Sequence, residues 1–167
     1  ITVDSLINKI SSIGEVIYPC VRRLTISFLS PYRKVLRNLN GLSVRDISVQ
    51  DKNTIALGIR RCSQNWNLPV YSCAEPLDLS MYGINHGSCI DPALIVRCYG
   101  DDISIQNYFR ISKTTDLVSG EEVVRFGSVK DRGQRKECNC CVSKDIGTYD
   151  TCSHGCKYCY AHKENSY

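Results

Sequence analysis

The segment NWNLPVYSCAEP, residues 65–76, decides how the chain is built, because an amphipathic run ends there and a strand begins. Upstream, Ile55, Ile59, Cys62 and Trp66 recur at the 3.6-residue period, which predicts a helix over roughly residues 47–64. Pro69 cannot continue that helix, and VYSC, residues 70–73, has the β-branched and aromatic character of a short strand. The strand ends on Cys73, with Glu75 just beyond it.

The same helix-to-strand step occurs earlier in the chain. In ITVDSLINKISSIGEVIY, residues 1–18, Val3, Leu6, Ile7, Ile10, Ile13, Val16 and Ile17 follow the helical period, and Thr2 is placed to cap the first turn. RLTISFLS, residues 23–30, alternates Leu24, Ile26 and Phe28 against Thr25 and Ser27 as a strand does. PYRKVLRNL, residues 31–39, is a short helix with Pro31 in its first turn. After residue 73, Gly83 and Gly87 mark turns and a further helix runs from Pro92 to Cys98. Residues 100–135 are weakly periodic and are assigned to a long loop, a small β excursion or an insertion; a last brief strand is expected around VSKDIG, residues 142–147.

Strands alternating with helices predict an α/β fold with a parallel sheet. About three strands are too few to cover their own faces, so the expected architecture is a partial (β/α) barrel of the TIM type. Its βα units would occupy residues 1–99, and residues 136–167 would form a last strand and a cysteine loop. The chain starts at Ile1, inside a helix, and the barrel is expected to be completed by an upstream half of the same protein or by another chain. In such barrels the working residues sit at strand ends; here these carry Ser30 and Tyr32, Cys73 and Glu75, and Tyr149.

A chain of this length and ordinary composition suits one globular domain. No apolar run approaches the ~20 residues that span a bilayer, and no basic-then-apolar leader precedes the first helix, so no membrane association and a cytoplasmic location are expected. The net charge of +4 names no partner by itself; Arg22, Arg23, Arg33, Lys34 and Arg37 make one basic neighbourhood that fits a solvated helix face better than a nucleic-acid footprint.

Eleven cysteines, an odd number, in a chain of this length and without a secretion signal argue for metal binding rather than a disulfide framework. Six fall between Cys138 and Cys159. In YDTCSHGCKYCYAH, residues 149–162, Cys152, Cys156 and Cys159 have the spacing C-x3-C-x2-C, which lets one loop aim three sulfurs at one centre. Three thiolates leave one iron of a 4Fe-4S cluster without a protein ligand. The spacing resembles that of radical S-adenosylmethionine enzymes, in which the methionine part of the cofactor takes the open iron and an aromatic residue before the third cysteine, Tyr158 here, lies against adenine.

Cys73, Cys89, Cys138 and Cys140 are a second candidate group, for structural zinc or a second iron-sulfur cluster. Burial as small apolar side chains is the competing role of Cys73 and Cys89, and the expected one for Cys20, Cys62 and Cys98. Cys141 fits either role. His162, at C-x2-H spacing from Cys159, would turn the tail into a Cys3His zinc site, and His154 lies within the loop. Glu75, Asp78, Asp91 and Asp145 could orient a ligand, although capping or solvation is the commoner fate of such carboxylates.

LTISFLSPYRKVLRNL, VYSCAEPLDLSMYGINHGSCIDPALI and RKECNCCVSKDIGTYDTCSHGCKYCYA together resemble the C-terminal half of a bacterial family grouped as a domain of unknown function and regarded as radical-SAM-like. The resemblance implies an iron-sulfur enzyme that uses a 4Fe-4S cluster and S-adenosylmethionine to generate a 5'-deoxyadenosyl radical, served by an electron donor. The substrate, small molecule or nucleic acid, is left open. Two features depart from most radical SAM enzymes: the cysteine loop stands at the end of the chain, and SGEE, Ser119–Glu122, is a poor counterpart of their Gly-Gly-Glu stretch. The alternative is a zinc-stabilised binding module, nucleic-acid-binding or not, without catalysis.

Overall fold

Thr2 accepts the Ser5 N–H on its side chain and starts α1, Val3–Ile17, whose Val3, Leu6 and Ile10 turn toward the core. The computed structural model describes residues 2–29, 33–42, 47–127, 129–130, 133–144, 146–159 and 161. After a 3-10 turn at Tyr18–Cys20 comes β1, Leu24–Ile26, followed by α2, Arg33–Asn38.

Helix α3, Val49–Trp66, begins with a reciprocal cap in which the Ser48 hydroxyl accepts the Asp51 N–H and the Asp51 carboxylate accepts the Ser48 N–H. It ends at Asn67, whose left-handed φ of 51° lets the chain turn sharply into Pro69 and β2, Val70–Cys73. Helices α1 and α3 lie close because glycines face the bulk of the partner helix. Gly14 of α1 receives the Trp66 ring, and Gly58 of α3 receives Ile7. The Trp66 indole N–H donates to Glu15 at 2.7 Å.

Strand β2 is central. It pairs in parallel with β1 on one side and with β3, Ile84–Gly87, on the other, giving the order β1-β2-β3. Ile55, Ala56 and Ile59 of α3 pack on Val70, Leu79 and Ile84, with Leu24, Ile26 and Phe28 around them. The helices therefore cover the sheet face to which Val70 points. Burying this apolar set at about 25 cal/mol per Å2 is the main force holding the layers together. Ile13 and Val16, on the apolar stripe of α1, remain exposed.

β3 is a strand that local composition does not announce. INHG has little β character, and Gly83 and Gly87 read as turns; pairing with β2 overrides that preference. The Gly87 backbone approaches the Tyr71 side chain so closely that a Cβ would lie 2.8 Å from it.

Asp91 caps α4, Pro92–Tyr99, by accepting the N–H groups of Ala93 and Leu94. Among the described residues of 100–135 there is a small β excursion and, in addition, a helix that weak periodicity does not announce. These residues hold α5, Ile103–Phe109, capped by Asp102, and an antiparallel hairpin of β4, Ser112–Thr115, with β5, Glu122–Arg125. Val96, Phe109 and Cys141 form a second, smaller core with Ile95, Ile105, Ile111 and Val129. Among the described residues of 142–147 there is no strand: only Cys141, one residue earlier, bridges Lys130. No helix among the described residues is long and apolar enough to cross a membrane.

Candidate metal centre

Strand alternation turns Cys73 to the face opposite Val70, away from α3, at the carboxyl end of β2. Ala74 then takes a left-handed φ of 54°, a conformation that costs an alanine roughly 1–2 kcal/mol. It is held there between two buried residues that both have partners. Glu75, 5% exposed, accepts two hydrogen bonds from the Lys52 ammonium, at 2.8 and 2.9 Å, and one from the Leu77 N–H. Cys73 meets the tail.

That meeting is made by backbone pairing. The Cys141 N–H donates to the Ile90 carbonyl at 3.1 Å, laying residues 140–141 beside the loop that leaves β3. Cys140 Sγ then lies 3.6 Å from Cys73 Sγ and accepts the N–H groups of Cys89 and Ile90 at 3.2 and 3.4 Å. The sulfurs of Cys73, Cys89 and Cys140 all lie within 4.8 Å of one another, an arrangement that could hold a metal ion. Cys138 is buried in the same cluster, with its sulfur outside the group of three that lies within 4.8 Å.

The thiols differ electrostatically. Burial pushes Cys73 up to about 11, with the Cys89 and Cys140 thiols adding to the rise, and burial also raises Cys138 and Cys141. Cys140 is buried too, but the Ile90 N–H, the Cys73 and Cys138 thiols and the Cys89 N–H outweigh that penalty and hold it below the ordinary thiol range. The cluster thus has one sulfur prepared to carry negative charge, surrounded by thiols that share it.

The tail motif is arranged differently. Cys152 and Cys156 are exposed and Cys159 is half-buried, and among the described residues these three do not form a group within 4.8 Å. The loop that carries them is closed at its base by the Asp150 N–H donating to the Ala161 carbonyl at 3.0 Å, and within it the Cys159 N–H donates to the Cys156 carbonyl. Gly155 provides a positive φ of 59°. Tyr158 is 47% exposed, and His154 is exposed. His162, Ser30, Tyr32 and Asp145 lie outside the described residues.

Of the acids, Asp78 caps the turn at Ser80, while Asp91 caps α4 and pairs with Arg23, which also donates to the Ser88 carbonyl. Arg23 and Lys52 carry no sequence signal for these pairings: only the fold brings Lys52 to the buried Glu75 and Arg23 to the half-buried Asp91. Cys20 and Cys98 are exposed rather than in the core, and Cys62 is half-buried. Cys20 falls in the turn after α1, and Cys98 on the solvent side of α4, so the helical period alone misplaced them.

No curated protein and no solved structure matches the chain significantly. A family model described as Domain of unknown function (DUF1848) matches residues 1–161. That span takes in both helices over the sheet, the three parallel strands and every cysteine, and the chain belongs to the DUF1848 family.

Proposed function

We propose that the chain is part of an iron-sulfur enzyme of the radical S-adenosylmethionine type, in which Cys152, Cys156 and Cys159 hold a 4Fe-4S cluster. The observation that supports this most is where the tail starts. Pairing of residues 140–141 with the loop after β3 makes the tail depart from the carboxyl end of the parallel strands, the end at which α/β folds bind ligands.

The donor set fits such a group. Cys152, Cys156 and Cys159 stand on one loop closed at its base by the Asp150–Ala161 hydrogen bond, two of them exposed and one half-buried, and thiolates are the ligands such clusters take. A cluster with three thiolates keeps one iron open, and with S-adenosylmethionine it supplies one-electron reductive chemistry that yields a 5'-deoxyadenosyl radical. The chain would contribute three thiolates, and the exposed ring of Tyr158 as a surface for adenine to stack on. An upstream segment or a second chain would complete the partial barrel, wall the site from water and leave room for an electron donor. A small-molecule or a nucleic-acid substrate is compatible with an opening of this kind.

A zinc-stabilised module without catalysis is the second reading, favoured by the close approach of Cys73, Cys89 and Cys140. Anaerobic purification of the intact protein separates the two. The enzyme reading expects broad visible absorption that serine at Cys152, Cys156 or Cys159 abolishes, and an electron paramagnetic signal of the reduced protein that changes when S-adenosylmethionine is added. A colourless protein carrying zinc alone would reject it.

A further inference from the structure

We propose that Cys73, Cys89, Cys138 and Cys140 form a closed four-thiolate site for a single zinc ion, distinct from the tail loop, which pins the start of the tail to the carboxyl end of the sheet. This goes beyond the enzyme reading and does not depend on it.

Spacing selects the occupant. A tetrahedral shell with metal–sulfur bonds of ~2.3 Å has sulfur–sulfur edges of about 3.8 Å. Cys73 and Cys140 are 3.6 Å apart, and the trio with Cys89 spans no more than 4.8 Å. A disulfide would need about 2.05 Å, and a 4Fe-4S cubane roughly 6 Å. The site is too wide for the first and too tight for the second.

The surroundings suit thiolate ligands. Two backbone N–H groups, of Cys89 and Ile90, point at Cys140 Sγ. These donors offset the negative charge that four thiolates around a divalent ion retain. Cys138, buried in the same cluster but outside the close trio, would turn its sulfur inward to supply the fourth ligand. Ordinary burial accounts for Cys73 and Cys140 one at a time; it does not account for an exposed cysteine, Cys89, turning its sulfur to the same point. Its exposure gives the ion a way in. Soft ligands in a closed tetrahedron favour zinc, which has no geometric preference of its own.

The ion would join three segments distant in sequence: the end of β2, the loop after β3 and residues 138–140. β2 and β3 are already paired, whereas residues 138–140 join them through a few hydrogen bonds and the packing of the adjacent Cys141, so metal binding would add directly to folding stability.

The test is cobalt(II) titration of the metal-stripped intact protein under reducing conditions, with X-ray absorption at the zinc edge of the protein as purified. One equivalent of cobalt should give the intense visible bands of a tetrahedral ion and strong sulfur-to-metal charge transfer. The zinc edge should fit about four sulfurs at ~2.3 Å. Cys140→Ser should weaken binding by about 100-fold or more, and Cys138→Ser should remove roughly a quarter of the charge-transfer intensity. Cys62→Ser should change neither. The triple variant Cys152→Ser, Cys156→Ser, Cys159→Ser should keep the zinc, even if it loses iron and sulfide, so failure here and failure of the enzyme reading are told apart. Weak bands from oxygen or nitrogen ligands, loss of zinc in the triple variant, sulfide retained by that variant, or a Cys73–Cys140 disulfide in the reduced-purified protein would each overturn the proposal. Should Cys140→Ser not fold, the wild-type cobalt spectrum and zinc edge still decide.

Discussion

Replacing Gly14 with alanine sets two effects of opposite sign against each other. In an exposed helix the change would stabilise by about 1 kcal/mol through propensity. At this position, however, the new Cβ would lie 1.9 Å from Cη2 of Trp66 and 2.3 Å from Cζ2. Carbon atoms rest ~3.5–4.0 Å apart, so α1 and α3 must separate, or the indole must leave its place. Overpacking of this kind costs roughly 1–3 kcal/mol. Displacing the ring also breaks the hydrogen bond from its N–H to Glu15, a charged acceptor worth roughly 1.5–3 kcal/mol. Net of the propensity gain, the loss is about 1.5–5 kcal/mol, or a fall in Tm of about 3–20 °C for a chain of this size. Thermal unfolding followed by far-UV circular dichroism measures it, and the fluorescence of Trp66, the single tryptophan, reports the ring's environment directly. Gly147, where a Cβ would meet nothing within 4 Å, is the control and should change stability by less than about 0.5 kcal/mol. A Gly14→Ala protein as stable as the wild type, with unshifted emission, would refute the close α1–α3 packing.

Lys52→Met should destabilise by about 2–4 kcal/mol, because it strands the buried Glu75 carboxylate with one N–H donor; adding Glu75→Leu should recover most of the loss in denaturant titration. Burial works against the Asp91 carboxylate, but Arg23 and the N–H groups of Leu94 and Ala93 outweigh it and hold its pKa below the ordinary range. Its contribution is therefore present above about pH 4 and lost as pH falls through the depressed value, and Arg23→Ala should flatten the acid side of the stability profile measured by thermal melts. Cys73 is raised from 9.0 to about 11, so the metal-free protein should lose stability as pH rises across that window. At pH 8, alkylation read by mass spectrometry should mark the exposed Cys152 and Cys156 well before Cys73.

Helices α1 and α3 are legible in the sequence because each carries a long apolar stripe, with Thr2 as a start signal for α1; the Ser48 cap that starts α3 at Val49 rather than near residue 47 shows only in the structure. β1 and β2 are legible from branched and aromatic residues bounded by proline or polar turns. β3 is not, since Asn85, His86 and Gly87 form a strand only through the partner beside them. Helix α5 was hidden by its shortness: seven residues between polar turns show hardly two helical repeats. At the site, the grouping of cysteines was visible, and C-x-C at Cys138 and Cys140 pointed to a use other than packing. That Cys89 and Ile90 aim their N–H groups at Cys140, and that Lys52 closes over Glu75 two residues from Cys73, depends on strand order, which spacing does not encode.

The most direct test of the account is a count of iron, acid-labile sulfide and zinc in the intact protein purified without oxygen. About four irons, four sulfides and one zinc per chain are predicted, the iron and sulfide held by the tail loop and the zinc by the cluster at the end of β2. A protein with its thiols reduced and no bound metal of either kind would contradict it.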